Sequence, residues 1–112
     1  MKLALVALIL LCSSCAAVTA REVAIDALIA VDWAQTLQIA DHPDQWYERN
    51  PLLGRHPSRD QVNLSIGGAM LANTVIHRLV PEPYLGRYQI CLLMAESAAV
   101  WGNYNIGIRV DF

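Results

Sequence analysis

Three stretches of this chain have helical length, and each carries one narrow polar stripe on an otherwise apolar cylinder. In the first, Asp32, Gln35 and Thr36 fall at i, i+3 and i+4 and so share a face. In the second, His77 follows Thr74 by three and Asn73 by four, and in the third Gln89, Glu96 and Asn103 recur at a seven-residue spacing. Ala, Leu, Ile, Val and Met fill most of the remaining positions. The pattern predicts an all-α fold, a three-helix bundle with helices over about 22–40, 58–80 and 83–103. The second helix has the clearest limits. His56-Pro57 stops what precedes it, Ser58 can cap, and Gln61 stands three residues on to complete a capping box. It closes at Pro81, and Pro83 suits the first position of the third helix. So short a link predicts that helices two and three pack antiparallel as a hairpin.

Two environments produce such stripes. A soluble bundle turns the polar stripe outward and buries the broad apolar face. A membrane bundle turns it inward, where polar groups must satisfy one another. Composition leans to the second, since 55% of residues are hydrophobic and only 16% charged, against about 25% charged in ordinary soluble domains. Small residues four apart, Gly68 and Ala72, Ala95 and Ala99, Ala98 and Gly102, favour close helix contact of the kind common in bilayers. Against it, each span carries two or more strongly polar groups, and a central Asp resists insertion by about 2.5–3.5 kcal/mol. The expectation is membrane embedding, with Asp32, Gln35, Thr36, Asn73, His77, Glu96 and Asn103 gathered inside. Arg49, Arg55, Arg59 and Arg109 would then face Arg21, Arg78 and Arg87 across the bilayer, a feeble charge bias.

Asp32, His77 and Glu96 on three helices are raw material for a metal site or acid–base chemistry. There is no HExxH, no paired Glu-x-x-His and no nucleophile elbow to support either. The expectation is therefore no enzyme, no cofactor and no bound metal, with an interior Asp32/His77/Glu96 cluster that fixes helix register. Asp32→Asn should then destabilise the bundle.

Met1-Lys2 followed by the apolar run Leu3 to Leu11 has the order of a secretory signal, and the run is too short to span a membrane. Val18-Thr19-Ala20 suits signal peptidase, which divides the chain into a signal over 1–20 and one helical domain over 21–112. The alternative is lipidation at Cys15, preceded by Ser13-Ser14 but by an atypical Cys12, giving an anchored periplasmic binding module. Cys12 and Cys15 leave with the signal, and Cys91, within Cys91-Leu92-Leu93-Met94, is expected to be a buried small apolar side chain. Loss of Lys2 from the eight basic residues leaves seven Arg against ten acids, a net charge of about −3. No basic patch for nucleic acid remains, and Gly67-Gly68 fits no nucleotide fingerprint.

Between the first two helices, Asp41 to Pro57 holds three prolines and a glycine, yet its Trp, Tyr and two Leu are too apolar for a free linker. An ordered loop against the bundle is expected, with His42 and His56 as turn residues. Within it, Glu48, Arg49, Asn50 and Arg55 have two readings. Asn50-Pro51 starts a turn and the charges pair locally, or the loop presents Trp46, Tyr47 and Arg49 to a partner protein. From Asn105, Ile106, Ile108, Val110 and Phe112 alternate with Gly107, Arg109 and Asp111. This predicts a short extended tail, because one strand cannot close a barrel.

Asp32-Trp33-Ala34-Gln35-Thr36, Ile39-Ala40, His42-Pro43, Tyr47-Glu48-Arg49-Asn50-Pro51-Leu52-Leu53-Gly54-Arg55-His56-Pro57-Ser58 and Asn103-Tyr104-Asn105-Ile106-Gly107-Ile108 resemble a pattern in small uncharacterised proteins of proteobacteria and tailed bacteriophages. More loosely, the Asp and Thr of helix one with a Glu-x-Asn-Pro loop resemble a family of small multi-helix membrane proteins. The resemblance implies a bacterial or phage source and a membrane location, and carries over no functional residue. The resulting expectation is a small cell-envelope protein, in the inner membrane or periplasm after export. It would be structural or accessory to another membrane or phage-encoded protein, with another envelope protein or a second copy of itself as partner.

Overall fold

The computed structural model describes residues 18–110. Most of the expected export segment, including Cys12 and the lipidation candidate Cys15, lies outside the described residues, as does Phe112. The described chain forms three helices, α1 (Ala20–Asp41), α2 (Arg59–Leu79) and α3 (Tyr84–Asn105), and contains no strand.

Local chemistry sets each boundary. Thr19 caps α1, its hydroxyl oxygen accepting from the Glu22 amide at 3.2 Å. The helix therefore starts one residue before the expected mature terminus at Arg21. It stops at His42, where Pro43 disfavours a further helical residue. The capping box of α2 forms as expected: the Ser58 hydroxyl accepts from the Gln61 amide at 3.1 Å, and the Gln61 side chain accepts from the Ser58 amide at 2.8 Å. At α3 the cap position belongs to Pro83, after a cis Glu82–Pro83 peptide, and the first helical residue is Tyr84. Pro83 offers no side-chain cap, and the Glu82 carboxylate takes that role by accepting from the Gly86 amide at 3.2 Å.

The bundle is organised around α1, against which both α2 and α3 pack. Ile25 and Ile29 of α1 meet Val62, Ile66 and Met70 of α2, with Trp33, Leu37, Leu92 and Leu93 at the margins. The hairpin expected of α2 and α3 does not form along its length. They meet near their short link, where the His77 and Tyr88 rings lie edge to face at 5.9 Å, and then part. The facing residues explain this. Ser65 and Ala69 on one side and Ala99 and Gly102 on the other offer little apolar area to bury, whereas α1 offers Ile, Trp and Leu.

Two further expectations are corrected. Cys91 is exposed, on the outward side of α3, because the turn that carries it points its neighbours Leu92 and Leu93 inward instead. In the tail the alternation fails at Ile106, which lies in an exposed turn closing α3. Gly107 then takes φ +100°, open to glycine at little cost, and the chain reverses to drop Ile108 into a fully buried site.

Candidate functional site

The interior of the bundle is unusually polar. Its buried set holds seven large apolar residues and six polar ones, Glu22, Gln35, Thr36, Asn73, Thr74 and Gln89, so close to half of the core must be satisfied by hydrogen bonds. Much of that bonding crosses between helices. Asn73 donates to the Asp26 carboxylate at 3.1 Å and accepts from the Tyr88 hydroxyl at 2.7 Å, joining all three. Gln35 donates to the Val100 carbonyl at 3.2 Å and accepts from Asn103 at 3.2 Å, tying α1 to the end of α3. Trp33 donates its indole N–H to Asn63 at 2.9 Å. Arg78 reaches Glu22 at 3.2 Å, the one ion pair with a buried carboxylate among the described residues.

Of the expected cluster, Gln35, Thr36, Asn73 and Asn103 are therefore interior and bonded, with Thr36 donating to the Asp32 carbonyl at 2.8 Å. Asp32, His77 and Glu96 do not come together as one group. His77 lies toward the α2–α3 link, its Nδ1 at 2.8 Å from the Asn73 carbonyl and its ring against Tyr88. Asp32 and Glu96 lie deeper along α1 and α3, where their charges oppose one another. The separation is axial: α1 and α2 run antiparallel, so His77 stands level with Asp26 near the start of α1, whereas Asp32 lies six residues further along, at mid-helix. No group of three or more His, Cys, Asp or Glu among the described residues is placed to hold a metal ion.

Asp32 and Glu96 face the space that opens where α2 and α3 part. This cleft, of about 760 Å³, has Ile29, Asp32 and Thr36 at its floor, Ser65, Ile66 and Ala69 on one wall and Leu92, Glu96, Ala99 and Gly102 on the other. Glu48, Arg49, Asn50, Leu52 and Leu53 form its rim. The Asp32 carboxylate has no hydrogen-bond donor among the described residues, and Glu96 Oε2 is buried without one.

The loop holds itself together. The Glu48 carboxylate accepts from the Arg49 and Asn50 amides, both at 2.8 Å, and the Asn50 side chain accepts from the Leu52 amide at 3.0 Å. Arg55 lies over the Tyr47 ring at 4.5 Å, and Trp46 is half-buried against His42. The turn reading thus holds at Asn50. Glu48 organises backbone instead of pairing with Arg, because two amides are nearer than any guanidinium. Arg49 and Tyr47 remain exposed, and Leu52 is 90% exposed at the rim.

The outer surface is the inverse of the interior. Leu64 is 80% exposed, Leu79 75% and Trp101 65%, and Leu71, Val75, Ile90 and Met94 are exposed with them. Every exposed charged residue among the described ones lies within a turn of a helix end or in a connecting segment. Trp101 and Tyr104 stack near the loop end of the bundle, and Tyr84 stands at the other. By length and composition, α1 is the one helix among the described residues apolar enough to cross a membrane.

Sequence reasoning missed Glu22, Asp26, Arg78, Tyr88 and the Trp33–Asn63 pair. Part of the signal was present: Glu22 and Asp26 stand four apart on α1, and Arg78 follows Thr74 by four. Leu52 had no such signal. Comparison with protein-family models, curated proteins and solved structures gives no match for the chain.

Proposed function

We propose that this is a small non-catalytic protein of the cell envelope that lies in the membrane as a three-helix bundle and acts as an accessory to another membrane protein. The observation that carries the reading is the inverted distribution of polarity. Interhelical hydrogen bonds share the interior with a small apolar core, large apolar side chains stand on the waist, and exposed charges keep to the two ends. In water, Leu64, Leu71, Val75, Ile90 and Met94 would stand exposed along α2 and α3. In lipid they are solvated, and the polar interior supplies the contacts that hold membrane helices together. The helices have 21 or 22 residues, about 32 Å of rise, enough for a hydrocarbon core of about 30 Å. Of the three, α1 alone is apolar enough to cross unaided, and α2 and α3 would enter packed against it. Aromatic side chains near both ends suit the interfaces.

Cys91 tests the reading, because it is exposed on the waist of α3. In phosphatidylcholine/phosphatidylglycerol vesicles a membrane-impermeant maleimide should leave Cys91 unmodified until detergent and denaturant are added. Rapid labelling in intact vesicles would reject embedding.

The anchored periplasmic module is the second reading, favoured by Thr19. Cleavage after Ala20 discards the cap of α1, at a cost of about 1 kcal/mol, whereas processing at Cys15 keeps it. The mass of the mature N-terminus distinguishes them: Arg21 at the start excludes the anchor.

A further inference from the structure

We propose that the cleft between α2 and α3 seats a fourth helix, supplied by a different integral membrane protein and carrying a Lys or Arg that meets Asp32 and Glu96. This rests on the membrane reading above and specifies the partner it leaves open.

Position is the first argument. α2 and α3 both lie against α1 and part from one another, so among the described residues the space between them is the open corner of a four-helix arrangement. The walls suit a helix. Ser65, Ala69, Ala99 and Gly102 are small, and a Cβ built on Gly102 meets nothing within 4 Å, so a backbone can approach closely.

Charge decides what kind of helix. A carboxylate at membrane depth is costly unless a counter-charge or donor meets it, and this cleft has two that repel one another, with Glu48 at the rim adding a third negative charge against Asp32. The described residues offer them no cation. Arg78 is committed to Glu22 and Arg59 to Asp41, while Arg49, at the mouth, makes no ion pair with either. A second copy of the chain does not serve, because the waist it could present carries no charged side chain among the described residues. A foreign helix with one basic residue at mid-depth supplies what is missing, and Leu52, exposed at the rim, gives it an apolar contact at one end.

The test uses the full chain in the vesicles described above and acceptor-labelled Leu/Ala peptides of about twenty residues, enough to span the hydrocarbon. One peptide carries a central Lys and its control a Leu there, and association is read by energy transfer from the protein's tryptophans. The Lys peptide should bind about tenfold more tightly than the control, the scale of a good polar contact between membrane helices. Asp32→Asn with Glu96→Gln should erase that advantage, and Arg49→Gln should keep it. Ala99→Phe, which fills the cleft, should abolish binding of the Lys peptide. Equal binding of the two peptides, an advantage that survives neutralisation, or no binding overturns the proposal. The same vesicles separate the two failures: Cys91 protected with indifferent peptides sinks only the cleft assignment, whereas Cys91 labelled sinks the membrane reading beneath it.

Discussion

Asn73 and Asp32 are both polar residues of the interior, and they do opposite things. Asn73 spends both ends of its amide on other helices, through Asp26 and Tyr88. Its removal leaves a buried carboxylate and a hydroxyl short of a partner. The Asp32 carboxylate has no donor and faces Glu96 across the cleft. The expectation that Asp32→Asn weakens the bundle is therefore reversed. That substitution removes a repulsion and breaks no hydrogen bond, so stability should stay level or rise, while Asn73→Ala should lose about 1–2 kcal/mol. Unfolding in mixed micelles, followed by helical circular dichroism, compares the two directly. A loss on Asp32→Asn equal to that on Asn73→Ala would restore Asp32 as a register-fixing group.

Among the elements, the loop and the tail are held by backbone chemistry more than by apolar burial. Glu48 and Asn50 each bond amides within two residues, and this fixes the rim of the cleft without help from the helices. The tail depends on Gly107, whose φ of +100° lets Ile108 turn back into the bundle. Nothing lies within 4 Å of a Cβ added there, so the penalty for Ala is purely backbone strain. Gly107→Ala should cost about 1–3 kcal/mol and free the residues after Asn105 for proteolysis, measured as faster release of a C-terminal peptide. Unaltered proteolysis would mean that Ile108 keeps its seat without the reversed turn.

At the scale of the molecule, two surfaces have different solvents in prospect. The outward sides of α2 and α3 carry exposed Leu64, Leu71, Val75, Ile90 and Met94, suited to lipid chains. The cleft is apolar on its walls but acidic at its floor, suited to neither lipid nor water alone. A membrane protein with only the first surface would be complete as it stands. The second surface is what makes the accessory reading specific, and the maleimide and peptide experiments address the two surfaces separately.

Helix number, order and most boundaries were legible in the residues themselves, because caps and prolines act over three or four positions. Ser58 with Gln61, and Pro81 with Pro83, mark α2 and α3 without reference to anything distant. The inward placement of Gln35, Thr36, Asn73 and Asn103 was legible too, since a stripe at helical spacing has only two ways to face. Which stripe residues meet was not legible. Axial stagger between helices parts His77 from Asp32 and Glu96, and no local pattern encodes stagger. Nor could spacing reveal that α2 and α3 diverge. Their short link suggests a hairpin, but the small residues between them hold it together less well than Ile, Trp and Leu hold each helix to α1. The sequence by itself determined three capped helices with polar stripes turned to one side. Only the tertiary structure decided that packing on α1 takes precedence over the hairpin, leaving two carboxylates facing an open cleft, because apolar burial outweighs chain proximity.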